Sequence, residues 1–171
     1  FGVRTDELRN ALLGMRSLGI HGLNVTMPHK NTVIRHLDDI DPTAMAIGAV
    51  NTVLNDKGRL VGYDTDGVGA VRALKENGIS LSGKRLLLLG AGGAGKAIAF
   101  HLAQEVSELT ILNRTPQRAG SLAKYLRKKF YKEITVGSLS TELVKEQLSG
   151  ADIIVNATSV GMSPNVNDSL I

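Results

Sequence analysis

The part of the chain up to about residue 77 alternates short apolar segments with polar turns. Apolar side chains recur at helical spacing over residues 5–18, which predicts a helix that starts at the N-cap Thr5 and stops at Gly19. Further along this part, the pattern predicts strands over 22–26, 49–54 and 59–63, and helices over 29–37, 42–47 and 67–77. The turn at 55–58 predicts that the last two strands form a hairpin.

The hydrophobic pattern changes near residue 84. Arg85–Leu89 is an almost continuous apolar run, which is typical of a strand buried inside a parallel sheet. The segments that follow predict strands over 109–112, 134–136 and 152–156, and helices over 94–105, 116–130 and 140–148. Strands that alternate with helices predict an α/β fold with a doubly wound parallel sheet, and we place a domain boundary near residues 65–80.

The composition excludes several classes of site. The 171 residues are 43% hydrophobic and 21% charged, as in ordinary globular proteins. The absence of cysteine excludes disulfides, thiolate zinc sites and cysteine nucleophiles. The four histidines suggest no metal site, and for His29 a structural role is favoured over tuning of Lys30. No apolar run predicts a membrane span and no signal peptide is evident, so we expect a cytoplasmic protein.

The chain is basic, with a net charge of +4. This charge fits an anionic small ligand. A cluster of basic residues follows residue 123, and it comprises Lys124, Arg127, Lys128, Lys129 and Lys132. Such a cluster can bind nucleic acid, but it is more often a solvated helix face. Because aromatic residues make up only 4% of the chain, we expect no nucleic-acid partner.

A glycine-rich loop follows the apolar strand. Gly90, Gly92 and Gly95 match G-x-G-x-x-G between a predicted strand and a predicted helix, where a pyrophosphate can approach the helix N-terminus. A P-loop ending at Lys96 is the first alternative. It is disfavoured because Ala97 supplies no hydroxyl for magnesium. The second alternative is a glycine turn that only lets a helix pack on the sheet.

The end of the second strand of the predicted parallel sheet indicates which dinucleotide fits. It reads Asn113-Arg114-Thr115, without a carboxylate for a free ribose 2′-hydroxyl. Arg114 can pair with a 2′-phosphate, Thr115 can donate a hydrogen bond to it, and Arg118 adds charge. These residues favour NADP over NAD. The alternative is that Arg114 is a surface arginine near a helix start.

Lys30 and Asp66 are candidates for proton transfer. Reduction of a ketone by hydride needs a proton for the developing alkoxide, and a lysine held by an aspartate can deliver it. Each residue taken by itself has an alternative interpretation. Lys30 could be an exposed surface lysine, and Asp66 could be the N-cap of a helix.

Six segments of the chain occur together in one order. They are Gly22–Lys30, Gly48–Val53, Gly62–Gly67, Gly90–Gly95, Asn113–Thr115 and Asn156–Met162. In sequence and order they resemble the motifs of the shikimate dehydrogenase family. The resemblance covers nearly the whole chain, and six matches in order are far more specific than any one of them.

The resemblance implies a partial α/β substrate domain over residues 1–65, followed by a Rossmann-type doubly wound parallel sheet that binds NADP over residues 66–171. It implies that Lys30 is the catalytic lysine, that Asp66 is its partner, and that Thr26, Asn51 and Asp66 contact the substrate. The residues expected to bind NADP are Gly90, Ala91, Gly92, Gly93, Ala94, Asn113, Arg114, Thr115, Arg118, Thr158, Ser159 and Met162.

The implied reaction is the reversible reduction of 3-dehydroshikimate to shikimate by NADPH. The implied partners are these small molecules, and no membrane partner is expected. The chain is expected to act as a monomer or a homodimer. A quinate/shikimate dehydrogenase with relaxed substrate or cofactor choice is the alternative. A non-catalytic nucleotide-binding module is more remote.

The chain departs from the family pattern at Asp64, where the family usually has asparagine. The added carboxylate is expected either to act on a neighbouring titratable group or to face solvent. The chain begins at Phe1 and stops at Ile171 after loop residues, so we expect a piece of a longer protein. The serine pair that grips the substrate carboxylate in the family would precede Phe1. A returning segment with a substrate-binding glutamine would follow Ile171.

Overall fold

The computed structural model describes residues 1–170 and divides the chain into two compact units, one ending at Asp66 and one starting at Gly67. We call them the first and second unit. The elements of the first unit are helices α1 (Leu8–Ser17) and α2 (Pro42–Ile47) and strands β1 (Gly22–Asn24), β2 (Asp39–Ile40), β3 (Thr52–Asp56) and β4 (Arg59–Tyr63). Short 3-10 helices span Thr5–Glu7 and Val33–His36.

As far as residue 170, the second unit contains four helices and four strands. They are α3 (Asp66–Glu76), whose first residue belongs to the first unit, then β5 (Arg85–Leu89), α4 (Gly93–Leu102), β6 (Glu108–Asn113), α5 (Pro116–Phe130), β7 (Ile134–Ser138), α6 (Thr141–Leu148) and β8 (Ile153–Asn156). No helix within residues 1–170 combines the length and the apolar character needed to cross a membrane.

The first unit is built on a mixed sheet in the order β1-β3-β4-β2. The predicted hairpin is confirmed, with β3 antiparallel to β4 and Asp56 opposite Arg59. The two residues between them, Lys57 and Gly58, have φ of 51° and 93°. Positive φ at both positions is what the tightest hairpin turn requires. Strand β2, which the hydrophobic pattern did not predict, pairs in parallel with β4.

Helix α1 packs its apolar face against this sheet. Leu8, Leu12 and Met15 are each at most 5% exposed and join the core of the first unit, as their spacing predicts. The prediction that Thr5 is the N-cap is wrong, because Thr5 lies inside the leading 3-10 helix. Gly19 ends the helix with φ of 64°, as predicted.

The predicted helix over 29–37 is wrong for its first half. Residues 27–32 form turns, and only Val33–His36 is helical, as a 3-10 helix. One backbone carbonyl of this segment bonds to a distant part of the chain instead. The carbonyl of Lys30, which an α-helix would bond to Ile34, accepts a 2.8 Å hydrogen bond from the N–H of Val50.

Helix α2 follows its capping residues. The Asp41 carboxylate accepts hydrogen bonds from the N–H groups of Thr43 at 2.8 Å and Ala44 at 3.2 Å, and Gly48 ends the helix with φ of 71°. The predicted start at Pro42 and end before Gly48 are therefore confirmed. The strand predicted from residue 49 begins later, at Thr52.

The second unit is a four-stranded parallel sheet in the order β7-β6-β5-β8. The predicted α/β fold with a parallel sheet is confirmed. Leu86–Leu89 of β5 are each at most 2% exposed, as expected for a strand flanked on both sides. Strands β6 and β7 are added on one side of β5, and β8 then pairs with β5 on its other side. The order in which strands are added to the sheet therefore reverses between β5 and β8. That reversal is the topological switch point of Rossmann-type sheets.

Helix α3 crosses α4 at a glycine. A Cβ added at Gly67 would lie 2.2 Å from the carbonyl oxygen of Ala97 and 2.3 Å from the ring of His101. This contact buries the His101 Nε2 atom without a hydrogen-bond partner among the described residues. The burial lowers the pKa of His101 below its usual value.

Alanine at Gly67 should destabilise the second unit, because its methyl group would push α3 away from α4. We expect Gly67→Ala to lower the free energy of unfolding by about 2 kcal/mol. Gly69 lies in the same helix with open space around it, so Gly69→Ala should raise that free energy by about 0.5–1 kcal/mol. Urea unfolding followed by circular dichroism measures both. Equal destabilisation by the two variants would contradict the crossing.

Candidate active site

Three polar residues meet at one end of the sheet in the first unit. Lys30 lies in the turns after β1, Asn51 directly precedes β3, and Asp66 follows β4 as the first residue of α3. Because β3 runs antiparallel to β1 and β4, its start and their ends lie at the same edge. Strand pairing thus brings together side chains that are far apart in sequence.

Lys30 and Asp66 form a partly buried ion pair. Lys30 Nζ lies 2.5 Å from Asp66 Oδ2, and the two side chains are 16% and 24% exposed. The two alternatives weighed from the sequence, an exposed lysine and an N-cap aspartate, are wrong. Asp66 lies inside α3 rather than before it, and its carboxylate accepts side-chain donors. The ammonium group is held in one place while remaining reachable.

Asn51 holds the other oxygen of Asp66. Its Nδ2 donates to Asp66 Oδ1 at 2.6 Å and to Thr65 Oγ1 at 3.1 Å. Its Oδ1 accepts from the Thr65 N–H at 3.1 Å and from Thr52 Oγ1 at 2.8 Å. These bonds use both donors and both lone pairs of the amide. A ligand that contacts Asn51 must therefore replace one of them.

Asp64, the departure from the family pattern, does not face solvent. It is 8% exposed, and its Oδ1 accepts a 3.0 Å hydrogen bond from the N–H of Asp66. Its carboxylate therefore supports the first turn of α3, where negative charge is favourable. The sequence motif pointed to this position, but its contact with Asp66 follows from the turn that the chain makes between β4 and α3.

Two further predicted residues lie in the turns after β1. Thr26 is exposed, and among the described residues its hydroxyl forms no hydrogen bond with Lys30, Asn51 or Asp66. His29 is 9% exposed, and its Nε2 lies 2.7 Å from the carbonyl oxygen of Val3. This contact gives the His29 ring the structural role that the sequence favoured.

The ends of three neighbouring strands in the second unit form another cluster. Gly90 follows β5, Asn113 ends β6, and Asn156 ends β8. Because these strands are parallel, their carboxyl ends share one edge of the sheet, next to the switch point between β5 and β8. Ligands of open α/β sheets bind at this position.

The three glycines of the loop have different surroundings. A Cβ at Gly90, where φ is 106°, would lie 2.8 Å from the carbonyl oxygen of Ala157, and a Cβ at Gly95 would lie 2.3 Å from that of Gly90. These two glycines allow the turn and the close packing of α4 on the sheet. A Cβ at Gly92 would meet nothing within 4 Å. Gly92 is exposed, and Gly93 and Ala94, which follow it at the start of α4, are half-buried. Their backbone N–H groups at this helix N-terminus are suited to an anion.

Asparagine side chains hold the loops at this edge. Asn113 Oδ1 accepts from the N–H of Ala91 at 2.9 Å, and its Nδ2 donates to the carbonyl of Thr115 at 2.9 Å. Asn156 Oδ1 accepts from the N–H of Thr158 at 3.0 Å and from its hydroxyl at 2.7 Å. Asn156 belongs to one of the six motifs but was not predicted to be a site residue. Its position after an apolar strand was the available signal.

The predicted phosphate-binding residues lie around the start of α5. Arg114 and Arg118 are exposed, and neither forms an ion pair within residues 1–170. Thr115 precedes α5 as its N-cap without a capping side-chain bond, so its hydroxyl remains available. Two uncompensated guanidinium groups beside a helix N-terminus create a positive site that suits a phosphate.

The remaining predicted cofactor residues lie after β8. Thr158 and Ser159 lie in a turn in which the N–H of Met162 donates to the carbonyl of Ser159 at 3.1 Å. The side chain of Met162 is 50% exposed. All three residues lie in the loop that follows β8, and β8 is the strand that pairs with β5.

The P-loop alternative has no support at Ala97. This residue is fully buried in α4, with its carbonyl against Gly67. A hydroxyl group is absent at the position where a magnesium ligand is required.

The basic cluster of α5 is only partly a solvated face. Arg127 donates to the carbonyl of Ile134, Lys129 lies 5.3 Å from the ring centroid of Phe100, and Lys132 donates to the carbonyl of Val106. Burial lowers the pKa of Lys132. Arg127 and Lys129 remain exposed, as the interpretation of a solvated helix face predicts, whereas Lys132 is half-buried and lies beyond the end of α5.

Two family models match the chain. The model described as "Shikimate dehydrogenase substrate binding domain" matches residues 1–53. The model described as "Shikimate / quinate 5-dehydrogenase" matches residues 72–166, which is over half of the chain.

Individual relatives agree with the family models. Shikimate dehydrogenase (NADP(+)) of Thermococcus kodakarensis is 50% identical over 163 residues, which cover 95% of this chain and 57% of the relative. The crystal structure of shikimate 5-dehydrogenase from Listeria monocytogenes, in complex with shikimate and NAD, has a TM-score of 0.85 and 36% identity, covering 99% of this chain and 61% of that one. The Thermus thermophilus enzyme, in complex with NADP(H) and shikimate, has a TM-score of 0.80 and 40% identity, covering 98% and 58%.

The parallel sheet, its switch point and the glycine loop define a Rossmann-type α/β protein. With the matching family models, the chain belongs to the shikimate/quinate dehydrogenase family. It spans about six tenths of the length of the relatives described above.

The same substitution at two glycines of the loop should destabilise the second unit at one position and leave its stability unchanged at the other. Gly95→Ser should lower the free energy of unfolding of the second unit by about 2 kcal/mol, because its Cβ would collide with the Gly90 carbonyl. Gly92→Ser should leave it unchanged within about 0.5 kcal/mol, since the site is open and serine is a good N-cap. Urea unfolding measures the difference, and equal midpoints would contradict these assignments.

Proposed function

We propose that this chain contributes the catalytic and NADP-binding residues of a shikimate dehydrogenase, which interconverts shikimate and 3-dehydroshikimate. The observation that carries the proposal is the Lys30–Asp66 ion pair, whose Nζ–Oδ2 distance is 2.5 Å. The proposal is supported by family membership and by the glycine loop of the second unit.

The residues of the second unit fit a dinucleotide. Open space at Gly92 admits a pyrophosphate, and the free N–H groups at the start of α4 can bind it. Arg114 and Arg118 can pair with a 2′-phosphate, which favours NADP. Thr158, Ser159 and Met162 are assigned to the nicotinamide end. When bound, NADPH supplies the hydride that reduces the substrate carbonyl.

Lys30 handles the proton of this reaction. In the reducing direction its ammonium group donates a proton to the oxygen of the substrate, and in the oxidising direction its amine accepts one. Asp66 holds the lysine through Oδ2, while Asn51 holds Asp66 through Oδ1. Two partners thus orient the proton donor before substrate arrives, and Thr26, Asn51 and Asp66 are the proposed substrate contacts.

The Asn113-Arg114-Thr115 sequence at the end of β6 favours the NADP-linked shikimate enzyme, and a comparison of the two substrates tests this preference. Shikimate is the favoured substrate, and quinate is the alternative within the family. A chain that binds NADP but oxidises neither compound would be a non-catalytic nucleotide-binding module. A cytoplasmic location and a monomeric or homodimeric state stay predictions.

Removal of the Lys30 amine should abolish the chemical step. We expect Lys30→Ala to reduce shikimate-dependent formation of NADPH by about a hundredfold or more, because the amine that accepts the substrate proton in this direction is lost. NADP affinity, measured by calorimetric titration, should stay unchanged. Lys124→Ala removes an exposed lysine as the matched control and should retain full turnover. Unchanged turnover in Lys30→Ala would contradict the assignment.

Arg114 should determine the preference for the phosphorylated cofactor. We expect Arg114→Ala to weaken NADP binding by about tenfold or more and to leave NAD binding unchanged, since only NADP carries the 2′-phosphate. Calorimetric titration with both cofactors measures this difference. Arg9→Ala, at an exposed arginine of α1, is the control for loss of general charge. An equal loss of affinity for both cofactors would overturn the role of Arg114.

A further inference from the structure

Asn113 bridges two loops, and each loop would contact a different part of the proposed dinucleotide. Its Oδ1 accepts from the N–H of Ala91 in the glycine loop, and its Nδ2 donates to the carbonyl of Thr115 in the loop before α5. Both distances are 2.9 Å. The first loop faces the proposed pyrophosphate, and the second faces the proposed 2′-phosphate.

The bond to Ala91 meets a need of the fold. Ala91 is 1% exposed, so water cannot satisfy its N–H, and a buried N–H without a partner is costly. Within the described residues, Asn113 supplies the acceptor for this N–H. The neighbouring Gly90 bonds instead to the backbone of β6, through the carbonyl of Leu112 at 2.8 Å.

We infer that Asn113 is a positioning residue that sets the glycine loop relative to the loop of Arg114 and Thr115. The inference rests on the proposed function and deepens it. Because its amide is engaged on both sides, Asn113 acts on the dinucleotide through the two loops. The affinity of the glycine loop for pyrophosphate thus depends on Asn113, which ends the neighbouring strand β6.

The same geometry divides the glycine loop into two parts. Ala91 gives its N–H to Asn113, and so it shapes the loop without donating to a phosphate. The donors left for an anion are the N–H groups of Gly92, Gly93 and Ala94, at the start of α4. Displacement of Ala91 would shift these donors directly, because they follow it in the chain.

Two variants distinguish the hydrogen bond of Asn113 to Ala91 from its hydrogen bond to Thr115. Asn113→Ala removes both hydrogen bonds, whereas Asn113→Asp keeps an acceptor for Ala91 and loses the donor to Thr115. Asn10→Ala, at an exposed amide of α1, is the control. Amide hydrogen exchange of the unliganded 171-residue chain reports the bond itself. Titrations with inorganic pyrophosphate and NADP report its effect on the site.

We expect exchange at Ala91 to accelerate about tenfold in Asn113→Ala and to stay slow in Asn113→Asp. Exchange at Leu88 and Ile111, in the core of the sheet, should stay slow in both variants, which shows that the unit remains folded. Asn113→Ala should also lower the affinity of the chain for inorganic pyrophosphate and for NADP by about fivefold or more. Asn10→Ala should change none of these quantities.

Unchanged exchange at Ala91 in Asn113→Ala would overturn the inference. Faster exchange with unchanged pyrophosphate affinity would also overturn it, because the bond would then not position the loop for an anion. A wild-type chain that binds neither NADP nor pyrophosphate would overturn the proposed function. In that case the exchange pattern would still show whether the hydrogen bond exists, so the two failures are distinguishable.

Discussion

Asparagine side chains at the ends of strands hold the loops that carry the candidate functional groups, and their hydrogen bonds organise the candidate sites of both units. In the first unit, Asn51 precedes a strand and ties Thr65 and Asp66 to it. In the second unit, Asn113 satisfies the buried N–H of Ala91. An amide side chain can accept and donate at once, so one residue joins two loops. The functional groups are placed by these bonds.

Steric limits are the second constraint. The helices of the second unit approach other backbone so closely that two positions exclude any side chain, namely Gly67 at the crossing of α3 and α4 and Gly95 against Gly90. Gly92 is different, since its surroundings are open. Glycine therefore serves packing at some positions and ligand access at another, and the sequence motif alone does not distinguish them.

Much of the fold was predictable from local patterns. The apolar run of β5, the hairpin and the caps of α2 each depend on interactions between near neighbours or on burial of a whole strand. The predictions failed where distant partners decide the backbone. Residues 29–32 form turns because the Lys30 carbonyl bonds to Val50. The two-residue strand β2 was missed because its partner β4, and no local pattern, defines it.

The sequence by itself determined the types of chemistry that this chain carries, because residue identities and their order form six motifs of one family. It also determined the alternation of strands and helices, since hydrophobic periodicity is local. Only the tertiary structure decided which groups meet. The 2.5 Å contact of Lys30 with Asp66 depends on the pairing of β1, β3 and β4. Such contacts depend on the pairing of strands that are distant in the chain, which local hydrophobic periodicity does not specify.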